Sequence, residues 1–252
     1  MSATEVLRES NRSMLDPCPT QLGKFLDAEG ALASLEDESI RFTPPNQLND
    51  ELDCIPSRYR DEGIEKVWCH SLLSRLFPEQ KLYFMGEYAN RDWASLREQL
   101  SDNISVASFT DLCNCDLQWM WNRYGKCHKG CLIIFDTTRM RMEKFFEVRY
   151  SEKRPEISIP IGEETYSPDE VLSVLTTKER GTSDHWEKEC EWRMFYHLSQ
   201  LQQKKTDAGT IFVRSYPSAF IKVICGRNID LEKFKAILVK AANKGILVEK
   251  LK

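Results

Sequence analysis

The fold class is decided by the segment CLIIFD, residues 131–136, in which only the last residue is charged. A short apolar run of this length, rich in branched side chains, is typical of a β-strand. Further strands are predicted at residues 104–109, 145–150, 187–196, 210–214 and 220–225. The second half of the chain is therefore expected to form a sheet.

Helices are predicted on both sides of these strands in the chain. Residues 27–35 are expected to be helical, and residues 39–43 to form a short strand that Pro44 stops. A later helix should start after Asp230 and place four apolar residues on one face, namely Leu231, Phe234, Leu238 and Ala241. The sequence thus predicts an α+β fold, with a mixed, mainly antiparallel sheet and flanking helices.

A helical insertion is predicted between the early strand and the main sheet. Apolar residues recur at spacings of three and four within residues 61–77, and a second helical stretch follows up to residue 100. We therefore expect residues 61–100 to be inserted as helices. A capping box at Ser167, Pro168 and Glu170 predicts one more helix start.

The domain organisation follows from the length and from the prolines near the start. Pro17 and Pro19 prevent a continuing helix, so residues 1–20 are expected to form an irregular N-terminal arm. The 252 residues are enough for one substantial core. We expect residues 21–252 to be a single α+β domain.

Charge and composition limit the partners and the compartment. The formal net charge of -4 gives no global reason to hold a nucleic-acid backbone, although a local basic groove stays open. No apolar run approaches the roughly 20 residues that cross a bilayer, and the N-terminus MSATEVLRES lacks the features of a signal peptide. We expect a cytoplasmic protein without a membrane partner, whose nine cysteines are mostly reduced and buried.

The segment from Trp119 to Gly130 concentrates large aromatic residues where a short helix meets a turn. Trp119, Trp121 and Tyr124 are typical of side chains that anchor a helix on a sheet. The same residues are also compatible with an aromatic wall for a flat ligand, with Tyr124 and His128 as polar groups. The sequence leaves both interpretations open.

Acidic residues alternate along the predicted strand that contains Glu189, Glu191 and Arg193. Alternation places these three and Glu187 on one face, and it places Trp192 on the other. Like charges on one face repel, so the face is either solvated with Arg193 as partner, or it carries a carboxylate pair that lines a pocket.

Two other groups of residues were weighed as sites. The run from Asn46 to Asp53 is rich in side chains that close turns on their own backbone, and this includes Asn49 and Asp50. Four cysteines suggest zinc only weakly because their spacing lacks the usual paired knuckles, and no metal is expected; they are Cys113, Cys115, Cys127 and Cys131.

Three sequence blocks resemble the bacterial family catalogued as domain of unknown function 2971. They are Leu48 to Asp53, the central residues from Ser108-Phe109 through Met120-Trp121 to His128-Lys129-Gly130, and Glu189 to Arg193. The resemblance covers about Leu22 to Gly226. The departures are Glu51 in place of a proline, leucines in place of two phenylalanines, and Arg123 where histidine is frequent. The blocks are expected to converge on one cleft.

The order of elements also resembles divergent members of the ADP-ribosyltransferase superfamily, which is an analogy at the level of fold. The resemblance implies ADP-ribosyl transfer from NAD to an unidentified acceptor. Glu191 would be the catalytic carboxylate that stabilises an oxocarbenium-like transition state, and Glu189 would orient the acceptor. The remaining residues would bind the nucleotide: Tyr124 stacks on nicotinamide, Asn49 and Asp50 bond the cofactor, His128 offers a polar contact, and Arg193 clamps the diphosphate or fixes Glu191.

Two other classes of function remain open from the sequence. A nucleic-acid cleaving or modifying enzyme would use His128, Lys129 and the carboxylates. A noncatalytic ligand-binding or sensor domain would bind without turnover. NAD consumption, metal-dependent loss of RNA or DNA, and binding alone distinguish the three.

Overall fold

The computed structural model describes most of the chain outside the N-terminus and several internal stretches. The described residues are 18–50, 53–54, 101–140, 143–155, 173, 175–180, 185–207 and 209–252. The predicted helical insertion at 61–100, the helix start at Ser167 and all but the last residues of the N-terminal arm lie outside them.

A seven-stranded sheet forms the centre of the fold, and β4 (Cys131–Asp136) is one of its interior strands. The strand order is β12-β11-β4-β1-β3-β8-β5, and neighbours are antiparallel except for the parallel pair β11 and β12. The other strands of this sheet are β1 (Gln21–Leu26), β3 (Ile104–Thr110), β5 (Phe146–Glu147), β8 (Glu191–His197), β11 (Phe220–Cys225) and β12 (Leu247–Lys250). Five of the six β4 residues are buried, as their apolar character predicts.

Two smaller sheets complete the strands. One has three antiparallel strands in the order β2 (Ser39–Phe42), β10 (Gly209–Ser215) and β9 (Gln202–Thr206). The other pairs β6 (Arg149–Ser151) with β7 (Thr177–Glu179) in parallel. The fold is α+β with a mainly antiparallel sheet, as the sequence predicts.

Three α-helices lie in the described part of the chain: α1 (Ala28–Asp37), α2 (Leu117–Arg123) and α3 (Leu231–Ala242). Carboxylate caps start all three, because Asp27, Asp116 and Asp230 each accept from a free backbone N–H of the first turn. None is long and apolar enough to cross a membrane.

The buried face of α3 differs from the predicted one. Ile237 and Ala241 are buried, whereas Leu231 is 58% exposed and Leu238 is 38% exposed. The helix packs against α1, and Lys233 of α3 forms an ion pair with Glu29 of α1 at 2.8 Å. The buried stripe shares Ala241 with the predicted one and includes Ile237 in place of Leu231 and Leu238.

The main sheet separates two apolar clusters. The larger one contains residues of β3, β4 and β8, such as Phe109, Phe135 and Trp192, together with buried residues of α1 and α3. The smaller one joins Phe25 of β1 and apolar residues of β4 to Met120 and Trp121 of α2. The face of the sheet with the smaller cluster therefore packs against α2. The candidate site lies next to this face.

Two strand predictions need correction, and four strands were not predicted. The strand predicted at 187–196 begins only at Glu191, because residues Trp186–Glu189 form a 3-10 turn and Cys190 has a left-handed φ of 43°. The strand predicted at 145–150 is divided into β5 and β6. Strands β1, β7, β9 and β12 were not predicted as strands, since each is short, polar or at the end of a longer pattern.

Candidate functional site

A cavity of about 260 Å³ lies where β1 and β3 separate. β1 pairs with β4 at six positions but with β3 only at Gly23 and Thr110. Beyond that pair, Lys24 Nζ donates to the carbonyl oxygen of Ser108 at 2.8 Å. Successive residues of both strands line the cavity, which fits a gap between strands better than a hollow on one face. The lining includes Lys24, Phe25, Asn49, Asp53, Ser108, Phe109, Thr110, Met120, Tyr124, Lys178, Glu189 and Glu191.

Strand β8 brings Glu191 to the cavity by simple alternation. Glu191 lies opposite Thr110, and Arg193 lies opposite Ser108, in the antiparallel pair with β3. Trp192, between them, packs in the larger apolar cluster. This arrangement confirms the predicted opposition between Glu191 and Trp192.

Glu189 reaches the same cavity by a different backbone path. It ends the 3-10 turn Trp186–Glu189, and the left-handed Cys190 then leads into β8. Glu189 and Glu191 are each only 4% exposed. The interpretation of this segment as a solvated edge is therefore wrong, and the carboxylate pair that lines a pocket is the arrangement found.

Arg193 is fully engaged behind the cavity. Its guanidinium group donates to Asp53 at 2.6 and 2.7 Å, to Glu191 at 2.7 and 2.9 Å, and to the carbonyl of Leu175 at 3.1 Å. Both edges of the planar fork are used, and the side chain is 1% exposed. Arg193 fixes Glu191 and does not face the cavity.

Lys178 is a second buried cation at the site. Its Nζ lies 3.1 Å from Glu189, 3.6 Å from Glu191 and 3.9 Å from Asp53. The ammonium also lies 4.2 Å from the ring centroid of Trp186, and Arg123 lies at the same distance from that ring. One indole is therefore placed between two cations, and it holds Lys178 against the carboxylates.

Asn49, Tyr124 and Glu189 form a chain of hydrogen bonds at the mouth of the acidic pair. The Asn49 side-chain amide donates to the Tyr124 hydroxyl at 2.9 Å, and that hydroxyl donates in a short bond to Glu189 Oε1. Burial and the Glu189 carboxylate raise the pKa of Tyr124, so the phenol stays protonated. The chain joins three segments that are far apart in sequence.

The two cavity glutamates have opposite pKa shifts. Burial, followed by the charge of Glu191, raises the pKa of Glu189 to about 7. Burial also opposes ionisation of Glu191, but Arg193 and Lys178 overcome it and lower its pKa to about 2. Near neutral pH one carboxyl group is poised to exchange a proton, and the other is a permanent anion.

Four of the seven predicted site residues line the cavity, namely Asn49, Tyr124, Glu189 and Glu191. Arg193 supports it from behind. Asp50 is not part of the lining, and its backbone carbonyl instead accepts from the N–H of Asp53 at 3.2 Å in a turn.

His128 is placed differently from the prediction. It is 6% exposed, and its ring stacks on Trp121 with a centroid separation of 5.3 Å and an angle of 9°. It does not line the cavity, because the turn after α2 directs the ring back onto the helix. His128 is a packing residue of that turn.

Three charged residues of the cavity were not singled out from the sequence as site residues, namely Lys24, Asp53 and Lys178. Asp53 stood in the first block of the resemblance, so its position there was the available signal. Lys24 and Lys178 carried no signal of their own. Their neighbours in the chain give no motif, and their partners come from other strands.

The described residues contain no group of three or more histidine, cysteine, aspartate or glutamate side chains arranged to hold a metal ion. The cysteines considered for zinc do not share a site in this part of the chain. Cys131 instead lies on β4 opposite Cys225 of β11, with 3.8 Å between the sulfur atoms.

Comparison with known proteins gives one match. The family model described as "Protein of unknown function (DUF2971)" matches residues 120–194, which confirms the resemblance to that family. The matched range contains Tyr124, Lys178, Glu189 and Glu191. No curated protein and no solved structure matches the chain significantly.

Proposed function

We propose for this chain, whose residues 120–194 match the DUF2971 family model, that the cavity breaks an N-glycosidic bond, and that its reaction is ADP-ribosyl transfer from NAD to an acceptor still to be identified. One observation carries the proposal: two buried glutamates share a cavity of about 260 Å³, and their pKa values are about 7 and about 2. Two carboxyl groups whose pKa values differ in this way are suited to chemistry at a glycosidic carbon.

Glu191 supplies the fixed negative charge in the proposed reaction. The bond between ribose C1′ and the nicotinamide nitrogen breaks, its electron pair leaves with nicotinamide, and positive charge develops on the ribose. An anion already held by Arg193 and Lys178 needs no reorganisation to stabilise that charge. Arg193 thus has the second of its two predicted roles, that of fixing Glu191.

Glu189 handles the proton. The acceptor forms a new bond to C1′ and must lose a proton, and the ionised form of Glu189 can take it. A group whose pKa is about 7 is available as a base at physiological pH and can release the proton again. The Tyr124 hydroxyl holds one oxygen of Glu189, so its proposed role is hydrogen bonding to the base in place of stacking on nicotinamide.

The size of the cavity fits part of the substrate. Its volume is close to the lower end of small-molecule sites, which suits the reacting portion of a dinucleotide with the remainder outside. The aromatic rings of Phe25 and Phe109 supply the apolar surface that a flat heterocycle requires.

The test is the release of nicotinamide from NAD, measured by chromatography across pH 5 to 9 for the wild type and three variants. Glu191→Gln should lower turnover about a hundredfold, because a charge aimed at the developing cation is lost. Wild-type turnover should rise with pH through about 7, and Glu189→Gln should lack that rise. Glu187→Gln is the matched control, since Glu187 is an exposed carboxylate two residues from Glu189, and it should behave as the wild type.

The outcomes separate the classes of function. Wild-type turnover in Glu191→Gln would remove the charge-stabilising role. Binding of NAD without any release of nicotinamide would favour the sensor interpretation, and metal-dependent loss of RNA or DNA would favour a nucleic-acid enzyme.

A further inference from the structure

We propose that Lys24 binds an anionic group of the ligand, a phosphate or a carboxylate, at the opening between β1 and β3. The inference deepens the proposed function and rests on it only for the choice of NAD-derived ligands. Arg193 was the residue predicted to clamp a diphosphate, and both of its edges are occupied by Asp53 and Glu191. Another cation must take that role.

Lys24 differs from the other cavity lysine in its partners. Lys178 lies within 4.0 Å of three carboxylates. The Lys24 ammonium instead bonds the neutral carbonyl of Ser108 at 2.8 Å and lies 5.4 Å from the centroid of the Phe109 ring. Among the residues that the structure describes, no carboxylate oxygen forms an ion pair with it. Lys24 is therefore a cavity cation that forms no ion pair in this part of the chain.

The other cations of the site are already in direct contact with carboxylates. Asp53 and Glu191 pair with the guanidinium group of Arg193, and Glu189 and Glu191 pair with the ammonium group of Lys178. The Lys24 ammonium contacts only the neutral carbonyl of Ser108 among the described hydrogen-bond acceptors. A ligand with an anionic group would give Lys24 the direct ionic contact that the other two cations have within the protein.

The surroundings of Lys24 make such a ligand favourable. Burial lowers the pKa of Lys24 to about 8, Glu191 acts in the opposite direction and Arg41 adds to the decrease. An ammonium group that loses hydration on burial gains most from an anion that contacts it directly. The carbonyl of Ser108 orients the amine along the edge of β3.

The experiment measures binding of four probes by isothermal titration: inorganic pyrophosphate, ADP-ribose, acetate and neutral nicotinamide. Lys24→Met should weaken binding of ADP-ribose and pyrophosphate about tenfold or more, because a hydrogen bond to a charged group is lost. Lys24→Arg should keep affinity within about threefold because it keeps the charge. Nicotinamide should bind Lys24→Met and the wild type equally. A preference for pyrophosphate or for acetate identifies the anion as phosphate or carboxylate.

The matched control is Lys205→Met, which removes the same charge from an exposed position on β9 and should leave all affinities unchanged. A second measurement needs no variant. Anion affinity of the wild type should fall as pH rises through about 8, since the amine must be protonated to bind.

Equal anion affinity in Lys24→Met and the wild type, or binding of pyrophosphate and ADP-ribose that does not change between pH 7 and 9, would overturn the inference. Absence of anion binding by the wild type would do the same. Failure of the proposed function is distinguishable: Lys24-dependent binding of ADP-ribose without NAD turnover supports the anion contact and removes the transferase. NAD turnover that is equal in Lys24→Met and the wild type supports the transferase and removes the anion contact.

Discussion

Replacing Arg193 with methionine removes the cation that two buried carboxylates share. The guanidinium group contacts Asp53 at 2.6 Å and Glu191 at 2.7 Å at its closest points, and methionine fills similar volume without either bond. Lys178, at 3.6 Å from Glu191 and 3.9 Å from Asp53, remains as their partner. Removing one partner of a buried ionic group costs about 3 to 5 kcal/mol of the free energy of unfolding.

The pKa of Glu191 gives the direction in which this stability depends on pH. Burial works against ionisation, yet Arg193 and Lys178 together lower the pKa from 4.5 to about 2. The folded pKa is below the unfolded one, so this stability is present above pH 4.5 and is lost as pH falls toward 2. Without Arg193, burial raises the pKa of Glu191, and the deficit of the variant should be largest at neutral pH and smaller in acid.

Urea unfolding followed by circular dichroism at pH 7.5 and pH 4.5 measures both effects. Arg139→Met is the control, because Arg139 is 52% exposed and its ion pair with Asp136 at 3.0 Å should contribute less than about 1 kcal/mol. A deficit for Arg193→Met below about 1 kcal/mol would refute the reasoning. So would a deficit of equal size at the two pH values.

Three further substitutions address the site, a tight turn and the core. Tyr124→Phe removes a hydroxyl that lowers the pKa of Glu189, so the pH at which NAD turnover rises should move upward; an unmoved pH profile would exclude that role. Gly226→Ala would place a Cβ atom 2.1 Å from the carbonyl oxygen of His128, and should lower the thermal midpoint by the equivalent of about 1 to 3 kcal/mol; an unchanged midpoint would contradict the contact. Trp192→Ala truncates a side chain that is 4% exposed and should cost about 3 to 5 kcal/mol in urea unfolding, whereas a cost below about 1 kcal/mol would place the ring outside the core.

Local apolar patterns were sufficient to predict the positions of two interior strands of the main sheet. β4 and β11 lie at the predicted positions because residues 131–135 are an unbroken apolar run and residues 220–225 are apolar except for Lys222, a pattern that has few alternatives in a globular protein. The start of β8 was misplaced for a nonlocal reason. The backbone N–H of Asp111 bonds the carbonyl of Cys190 at 3.0 Å, and that of Asp116 bonds Lys188 at 3.0 Å. These bonds hold the 3-10 turn in place, and no property of residues 187–190 alone indicates them.

The candidate site was predictable as far as its residues belonged to recognisable blocks. Asn49, Tyr124 and Glu191 came from three blocks, and the expectation that separate polar blocks converge is met by the cavity that they line. Lys178 was missed because its carboxylate partners come from other parts of the fold. His128 was misassigned because a histidine beside aromatic residues has the same appearance in a sequence whether it faces a ligand or packs on an indole.

The indole of Trp186, placed between Arg123 and Lys178, makes those two positions epistatic. Each cation lies 4.2 Å from the ring centroid, so a substitution at position 123, on α2, changes the support of an ammonium that contacts the cavity carboxylates. The effects of substitutions at 123 and 178 should therefore be nonadditive, although the two side chains act through a ring. A chain with a different residue at 123 is expected to reach the same acidity of Glu189 only with a compensating change near Trp186.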